Sequence, residues 1–173
     1  VLYAAYMAEH HASKRQIIQS VKMLKQYISS DFIIDSTHMM CQAGLISRRI
    51  QVLCDALLLH PVIQLRKSKM VVAGLAVGDF NRMAKSYVRR VLRDARYIDR
   101  RILFITYAGL DEKRLNYIQQ LVRQYCLFER VYLQKASSAI ASNCGAGSFG
   151  LLFMKKNEAI ISFAQASKPE VQN

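Results

Sequence analysis

Apolar and polar positions along the chain follow two different periods, which predict two kinds of secondary structure. In several stretches the apolar residues recur every three or four positions, the spacing that places them on one face of a helix. Ser13, followed three residues later by Gln16, forms a capping box and predicts a helix start. Ser47, Asp79 and Asp111 precede other such stretches and predict helix starts, because their side-chain oxygens accept hydrogen bonds from free backbone amides.

Short apolar runs lie between the predicted helices and indicate strands. They cover residues 31–35, 62–65, 70–77, 102–106, 131–133 and 149–154. A turn-like polar segment at residues 67–69 separates the second run from the third and predicts a β-hairpin. Because strands alternate with amphipathic helices, the sequence predicts an α/β fold, a layered domain with a mixed β-sheet flanked by helices.

The helix predicted from Ser47 has a marked apolar face. Ile50, Leu53, Cys54, Leu57 and Leu58 have helical spacing, and we expect them to point inward. Pro61 cannot continue a helix, so we expect the helix to end at His60, where the helix dipole favours a cation.

The start of the chain predicts helices only. Val1 and the apolar positions after it already have helical spacing, and no capping residue precedes them. We therefore expect residues 1–30 to be a helical lead-in from an N-terminal domain that is missing from this sequence. Residues 31–157 then form the α/β domain, and residues 158–173 form a C-terminal extension. A chain of 173 residues is long enough for one well-buried core.

The chain is strongly basic, with a formal net charge of +13 and a pI near 9.9, so a partner with negative charge has to be considered. Five cations follow one another along one predicted helix, and we call them the cationic row: Arg82, Lys85, Arg89, Arg93 and Arg96. The row is consistent with a solvated helix face or with a surface that docks an acidic partner or an anionic membrane. The absence of Trp, and of basic runs interleaved with aromatic residues, argues against a nucleic-acid partner.

The cysteines do not form a recognisable site. Cys41, Cys54, Cys126 and Cys144 contain no CxxC pair, and none has zinc-ligand spacing to a histidine. Reduced thiols are therefore expected rather than metal ligands. No apolar run reaches the roughly 18 to 20 residues of a membrane span, and no signal-peptide pattern is present at the start. We expect no metal, no transmembrane segment and a cytoplasmic location.

A polar, glycine-containing segment runs directly into the last predicted strand. Its candidate ligand-binding residues are Ser142, Asn143, Cys144, Gly145 and Gly147. The two glycines permit positive φ, so successive N–H groups can form an anion-binding nest. The alternative is a tight turn whose hydroxyls satisfy local backbone groups. Because no histidine is near Cys144 in sequence, the pattern does not indicate a cysteine nucleophile.

Residues 142–147 resemble the closing motif of the DegV family of bacterial fatty-acid-binding proteins, in which Thr-His-Thr-Gly-Pro-Gly precedes an apolar strand. Other pieces resemble the family in the same order, at residues 32–36, 39–47, 56–62, 69–72 and 102–109. The ordered set covers nearly the whole chain up to Lys155, although no single piece is diagnostic.

In that family a fatty acid lies between two α/β domains, and hydroxyls of the first domain hold its carboxylate. The resemblance implies that this chain corresponds to the second domain, which surrounds much of the acyl chain, and that it binds a long-chain fatty acid without catalysis or a cofactor. The head group would lie at residues 142–147. The candidate acyl-tunnel residues are Leu45, Ile46, Ile50, Leu53, Leu57, Phe149, Leu151 and Phe153. The implied partners are the first domain of the same parent chain and a fatty acid kinase.

The chain departs from the family at three polar positions. The histidine of the closing motif is Asn143 here, a family arginine is Leu45, and a cation after the hairpin is Val77. An amide can hydrogen-bond a carboxylate but cannot neutralise it. Arg48 and Arg49 are close enough in sequence to substitute, and with the cationic row they are candidates for contact with a partner or an anionic surface. Two alternatives stay open: a kinase-associated phosphotransfer domain, and a basic module that binds nucleic acid or an acidic partner.

Overall fold

The computed structural model of the protein describes residues 1–44, 46–66 and 69–156. The described residues form two compact units, one made of Val1–Ile28 with Lys155 and Lys156, the other of Ser29–Met154. The predicted C-terminal extension at residues 158–173 lies outside the described residues. The predicted domain boundaries at residues 30 and 157 stay predictions.

In its described part, the first unit contains helix α1 (Leu2–Glu9) and helix α2 (Lys14–Leu24). The predicted capping box is confirmed. Ser13 Oγ accepts a hydrogen bond from the amide of Gln16, and Gln16 Oε1 accepts one from the amide of Ser13 at 2.8 Å. After α2 a short 3-10 turn, Lys25–Tyr27, leads into extended backbone.

The second unit carries the sheet and the remaining described helices. The strands are β1 (Ile28–Ile33), β2 (Leu59–Arg66), β3 (Lys69–Val77), β4 (Ile98–Tyr107), β5 (Arg130–Lys135) and β6 (Phe149–Lys155). The helices are α3 (His38–Gln42), α4 (Arg48–Ala56), α5 (Phe80–Leu92), α6 (Glu112–Tyr125) and α7 (Ser138–Cys144). The predicted caps Ser47, Asp79 and Asp111 are confirmed, since each side chain accepts a hydrogen bond from the amide three residues later.

The strands form one mixed sheet in the order β3-β2-β1-β6-β4-β5. Strands β1, β2 and β3 are antiparallel neighbours, with Ile33 opposite Val62, and β4 runs parallel to β5. The predicted hairpin and α/β fold class are confirmed, although the hairpin turn at residues 67–68 is not described. Strand β6 is the last strand of the described residues but lies between β1 and β4, so it joins the two halves of the sheet.

One face of the sheet packs against α5 and α6 and carries the main core. Its most deeply buried side chains are Ile33, Met83, Tyr87, Leu103, Ile105, Ile118, Phe149 and Leu151. The Tyr87 hydroxyl donates to the Asp31 carbonyl at 2.6 Å and accepts from the Leu151 amide at 3.1 Å. The ring of Tyr87 meets Phe149 edge-on, with centroids 5.2 Å apart. A single helix side chain therefore ties β1 to β6.

The opposite face has a smaller core. Ile34, Met40 and Ile63 are buried there, with Phe32 and Ile46 packed against them. The register of the hairpin places further apolar side chains of β2 and β3 on this same face. We call them the open apolar patch: Leu65, Met70, Val72, Leu75 and Val77, which are between 48% and 71% exposed.

The connection from α4 to β2 differs from the sequence prediction. Helix α4 ends earlier than expected, so His60 and Pro61 lie in β2 and not at a helix end. The chain reverses at Leu58, which has a φ of +48°. The Leu58 carbonyl accepts a hydrogen bond from the Gly78 amide at 3.0 Å. A local left-handed residue thus ends the helix before the proline is reached.

The expectation that the apolar residues of α4 point inward is wrong for most of them. Cys54 is buried, but Ile50, Leu53, Leu57 and Leu58 are each about half exposed. Helical spacing shows that these residues share a face of the helix. It does not show what covers that face.

We predict that Tyr87→Phe lowers the free energy of unfolding by about 2 to 4 kcal/mol, since it leaves a buried carbonyl and a buried amide without their partner. Burial raises the pKa of Tyr87 well above its usual value, so the hydroxyl stays protonated at neutral pH. Urea unfolding measures the effect. Tyr132→Phe is the matched control. Because Tyr132 is 40% exposed, this substitution should change the free energy of unfolding little. Equal effects of the two substitutions would contradict the prediction.

We predict that Leu58→Gly raises the free energy of unfolding by about 0.5 to 1 kcal/mol. A left-handed backbone costs a residue with a Cβ about 1 to 2 kcal/mol, which exceeds the entropic cost of glycine. Leu57→Gly is the control, because Leu57 has a φ of −99° and is similarly exposed, at 53% against 54% for Leu58. That variant should be destabilised by about 0.5 to 1 kcal/mol. Loss of stability in both variants, measured by urea unfolding, would refute the claim of strain at Leu58.

Candidate functional site

The predicted glycine segment lies at the edge of the sheet where β1 and β4 end and β6 begins. Residues 144–148, which we call the glycine loop, connect α7 to β6. The Gly147 amide donates to the Ala108 carbonyl at 2.8 Å, and the Ala108 amide donates to the Ser148 carbonyl at 2.9 Å. The loop is therefore bonded to the carboxyl end of β4. In open α/β sheets, ligands bind beyond the carboxyl ends of strands.

Ser148 fixes the loop to the other neighbouring strand. Its side chain is buried, and Oγ donates to the Cys144 carbonyl at 2.6 Å. The same oxygen accepts a hydrogen bond at 3.2 Å from the amide of Asp35, which follows β1. Ser148 is not among the site residues predicted from the sequence, although a serine between Gly147 and an apolar strand was an available signal.

The positive φ values predicted for the glycines are confirmed, at +76° for Gly145 and +88° for Gly147. A Cβ on Gly147 would lie 2.2 Å from Asp35 Oδ2, so the missing side chain makes room for the protein's own carboxylate. The amides of Gly145 and Gly147 donate to the carbonyls of Ala141 and Ala108, both at 2.8 Å. Neither amide is available for the anion-binding nest that the sequence suggested.

Ser142 and Asn143 lie in the last turn of α7, a helix that the sequence analysis did not predict. Both side chains are exposed, and both donate to the Ala139 carbonyl, Ser142 Oγ at 3.1 Å and Asn143 Nδ2 at 2.8 Å. Such local bonds to a carbonyl three or four residues earlier are common for these residue types. The amide nitrogen of Asn143 has a second N–H, so this side chain can still donate to a ligand.

Cys144 does not have the environment of a nucleophile. It is buried at the end of α7, and burial raises the pKa of its thiol. The pKa of Cys54 is raised for the same reason, with a smaller contribution from the neighbouring charge of Asp55. Both thiols are therefore protonated at neutral pH, whereas a reactive cysteine requires a thiolate.

A buried histidine lies beside the glycine loop, and the sequence analysis did not select it as a site residue. His60 is 7% exposed. Its Nδ1 is 2.8 Å from the Asp35 carbonyl oxygen, and its Nε2 is 2.8 Å from the Gly78 carbonyl oxygen. Nδ1 is also 3.6 Å from Asp35 Oδ1. With β2 assigned as a strand, alternation places His60 on the same buried face as Val62.

The acyl-tunnel candidates near α4 are mostly exposed. Leu45 lies outside the described residues. Ile46 packs against the smaller core, whereas Ile50, Leu53 and Leu57 face outward along α4. These last three form an apolar surface that no described residue of the second unit covers.

The tunnel candidates on β6 belong to the main core. Phe149, Leu151 and Phe153 are buried there, on the face that α5 and α6 cover. The smaller core, which Ile46 joins, lies on the other face of the sheet. The structure therefore does not bring the two groups of candidates together along one wall.

The candidate cations are all exposed. Arg48 and Arg49 lie in the first turn of α4, where the helix dipole disfavours positive charge. The five side chains of the cationic row extend from α5 to the turn before β4, and within the described residues none of them forms an ion pair. These charges are available to an external anion.

In the described part of the chain, none of the helices has both the length and the apolar character that a membrane span requires. The same part of the chain also contains no group of three or more His, Cys, Asp or Glu side chains that could hold a metal ion.

Comparison with known proteins agrees with the fold. The family model for the DegV family, described as uncharacterised proteins, matches residues 1–156. No curated protein matches the chain. One similar solved structure is a DegV family protein from Eubacterium eligens loaded with heptadecanoic acid, with 17% identity and a TM-score of 0.74. A second is a DegV family protein from Thermus thermophilus described by its fatty acid binding, with 21% identity and a TM-score of 0.71. A third is the Streptococcus pneumoniae Fatty Acid Kinase (Fak) B3 protein loaded with linoleic acid, with 10% identity and a TM-score of 0.72.

These similarities cover 89% to 90% of this chain but only 54% to 55% of each of those chains. The chain therefore spans about half the length of the structures that it resembles. At these identities the structural likeness shows the fold, and the match of the family model to most of the sequence shows the family. The chain belongs to the DegV family.

Proposed function

We propose that the protein binds a long-chain fatty acid without catalysis, with the carboxylate near the glycine loop and the acyl chain along the sheet face that carries α4. The exposed apolar surface of α4, in a domain whose other sheet face is already covered, carries this proposal. The ligands named for the similar structures from Eubacterium eligens and Streptococcus pneumoniae, heptadecanoic acid and linoleic acid, support it.

The apolar contacts supply most of the affinity in this proposal. Each buried methylene is worth about 0.8 kcal/mol, so an acyl chain needs only a modest polar anchor. Ile46, Ile50, Leu53 and Leu57 line the acyl chain from the α4 side. Phe149, Leu151 and Phe153 support the same sheet from its other face and do not touch the ligand.

The polar anchor in this proposal combines exposed donors with a rigid backbone. Asn143 donates its second N–H, and the Ser142 hydroxyl lies beside it in the same turn. Gly147 connects the segment after this turn to the end of β4 and to Asp35, while the Cys144 carbonyl accepts from Ser148 and the Gly145 amide donates to Ala141. Arg48 or Arg49 supplies the cation that an amide lacks.

The proposed role is that of a carrier in the cytoplasm. Cys41, Cys54 and Cys144 are free thiols, which suits a reducing compartment. The raised pKa of Cys144 argues against covalent chemistry at the loop. Proposed partners are the first domain of a longer parent chain and a fatty acid kinase, and the cationic row is proposed to contact an anionic partner or membrane surface.

The proposal is tested by native mass spectrometry of the 173-residue protein, as purified and after delipidation and addition of oleic acid. We expect a one-to-one complex that oleyl acetate, which lacks a carboxylate, forms more weakly. Lysozyme at the same concentration controls for nonspecific association in the spray. A delipidated, folded protein that takes up no fatty acid at saturating concentration would refute the proposal.

We predict that Gly147→Ala lowers the free energy of unfolding by about 2 to 4 kcal/mol and weakens fatty acid binding, because the new methyl group overlaps the Asp35 carboxylate and the φ is left-handed. Gly44→Ala is the matched control. Gly44 has a φ of +71° and nothing within 4 Å of the added Cβ. The substitution there should therefore lower the free energy of unfolding only by the backbone strain, about 1 kcal/mol. Urea unfolding of both variants tests the difference, and equal losses would contradict the role assigned to Asp35.

A further inference from the structure

Both ring nitrogens of His60 face carbonyl oxygens. Nδ1 lies 2.8 Å from the Asp35 oxygen and Nε2 lies 2.8 Å from the Gly78 oxygen. A carbonyl oxygen only accepts hydrogen bonds, so each nitrogen must donate one. The neutral imidazole has a single N–H, whereas the imidazolium has two. The geometry therefore fits the charged form of His60.

A buried cation requires a compensating charge, and Asp35 provides it. Asp35 Oδ1 is 3.6 Å from His60 Nδ1, and the carboxylate is partly open to solvent. Among the described residues Asp35 is the only acid paired with His60.

The acidic groups on the neighbouring elements accept hydrogen bonds from other partners. Asp55 on α4 accepts hydrogen bonds from two nearby side chains, Asp79 after β3 caps α5, and Asp31 on β1 accepts a bond from a neighbouring serine. The side-chain carbons of Arg82 lie beside Gly78. The charge state of the ring is thus balanced locally by Asp35.

The same carboxylate touches the glycine loop. Asp35 Oδ2 occupies the space that a side chain on Gly147 would need, and the Asp35 amide bonds to Ser148 Oγ. When His60 is charged, the pair beside the loop has no net charge. When His60 is neutral, the unit charge of Asp35 is left uncompensated there and repels any anion that binds at the loop.

We propose that His60 is a positioning residue whose imidazolium neutralises Asp35 and so permits an anionic head group to bind at the glycine loop, which makes binding of the acid dependent on pH. This inference rests on the proposed fatty acid site. Loss of the His60 proton at rising pH removes one of the two ring hydrogen bonds and exposes the head group to Asp35. The affinity for a carboxylate ligand therefore falls as the pH rises.

The charge state of His60 is measured directly in the ligand-free protein. We expect long-range ¹H–¹⁵N NMR spectra at neutral pH to show both ring nitrogens of His60 protonated, with the resonance assigned from its loss in His60→Gln. The exposed His11 and His38 serve as internal references. A single protonated nitrogen at neutral pH would overturn the inference whether or not the protein binds lipid.

The effect on binding is measured with two probes, oleic acid and oleyl alcohol, by displacement of a fluorescent fatty acid from about pH 6 to pH 9, the range in which histidines lose their charge. We expect the affinity for oleic acid to fall roughly tenfold across the range and the affinity for oleyl alcohol to stay constant. His60→Gln should bind oleic acid weakly at every pH. His60→Lys, which keeps a cation with several N–H donors, should bind it without the decline.

The outcomes separate this inference from the function on which it rests. If neither probe binds at any pH, the proposed function fails and the inference fails with it. If both probes bind with the same pH dependence in the native protein, or if His60→Gln keeps the native pH profile for oleic acid, the inference alone is overturned. The comparison of two probes in the native protein does not depend on the folding of either variant.

Discussion

The insertion of β6 between β1 and β4 is the constraint on which the rest of the second unit depends. This strand, the last one within the described part of the chain, joins an antiparallel sheet half to a parallel one, so neither half is complete without it. The Tyr87 hydroxyl bonds β1 to β6 inside the core, and Ser148 bonds the segment after β1 to the loop before β6. These contacts join residues more than 50 positions apart, and they place the glycine loop between two strand ends.

The close packing of that junction explains why glycine and not another small residue stands at position 147. The Asp35 carboxylate fills the space where a Cβ would lie, and the carboxylate in turn neighbours a buried ring that bonds two carbonyl oxygens. Charge, backbone conformation and steric fit are therefore coupled within a few residues. From the sequence alone, the glycine motif suggests a ligand-binding loop. In the structure, Gly147 makes room for the Asp35 carboxylate of the protein itself. The ligand is proposed to bind at the exposed edge of this loop.

The two faces of the sheet differ in how completely they are covered. Helices α5 and α6 bury one face, while the other is covered in its centre only and leaves the open apolar patch and the apolar side of α4 exposed. Exposed apolar area of this extent is unusual on a free surface. This uncovered face is where we propose that the acyl chain binds, and the cationic row on α5 is on a different surface.

The sequence by itself determined the α/β class, the helix caps at Ser13, Ser47, Asp79 and Asp111, the hairpin and the family, because these follow from local periodicity and from hydrogen bonds three residues apart. Tertiary structure alone decided three other matters. It showed α4 as a helix with an uncovered apolar face, since spacing tells which residues share a face but not what lies against it. It placed Phe149, Leu151 and Phe153 on the face opposite α4, since strand alternation does not show which helices cover which face of the sheet. It also brought His60, Asp35 and Ser148 together, because strand order, and not distance along the chain, sets which side chains meet.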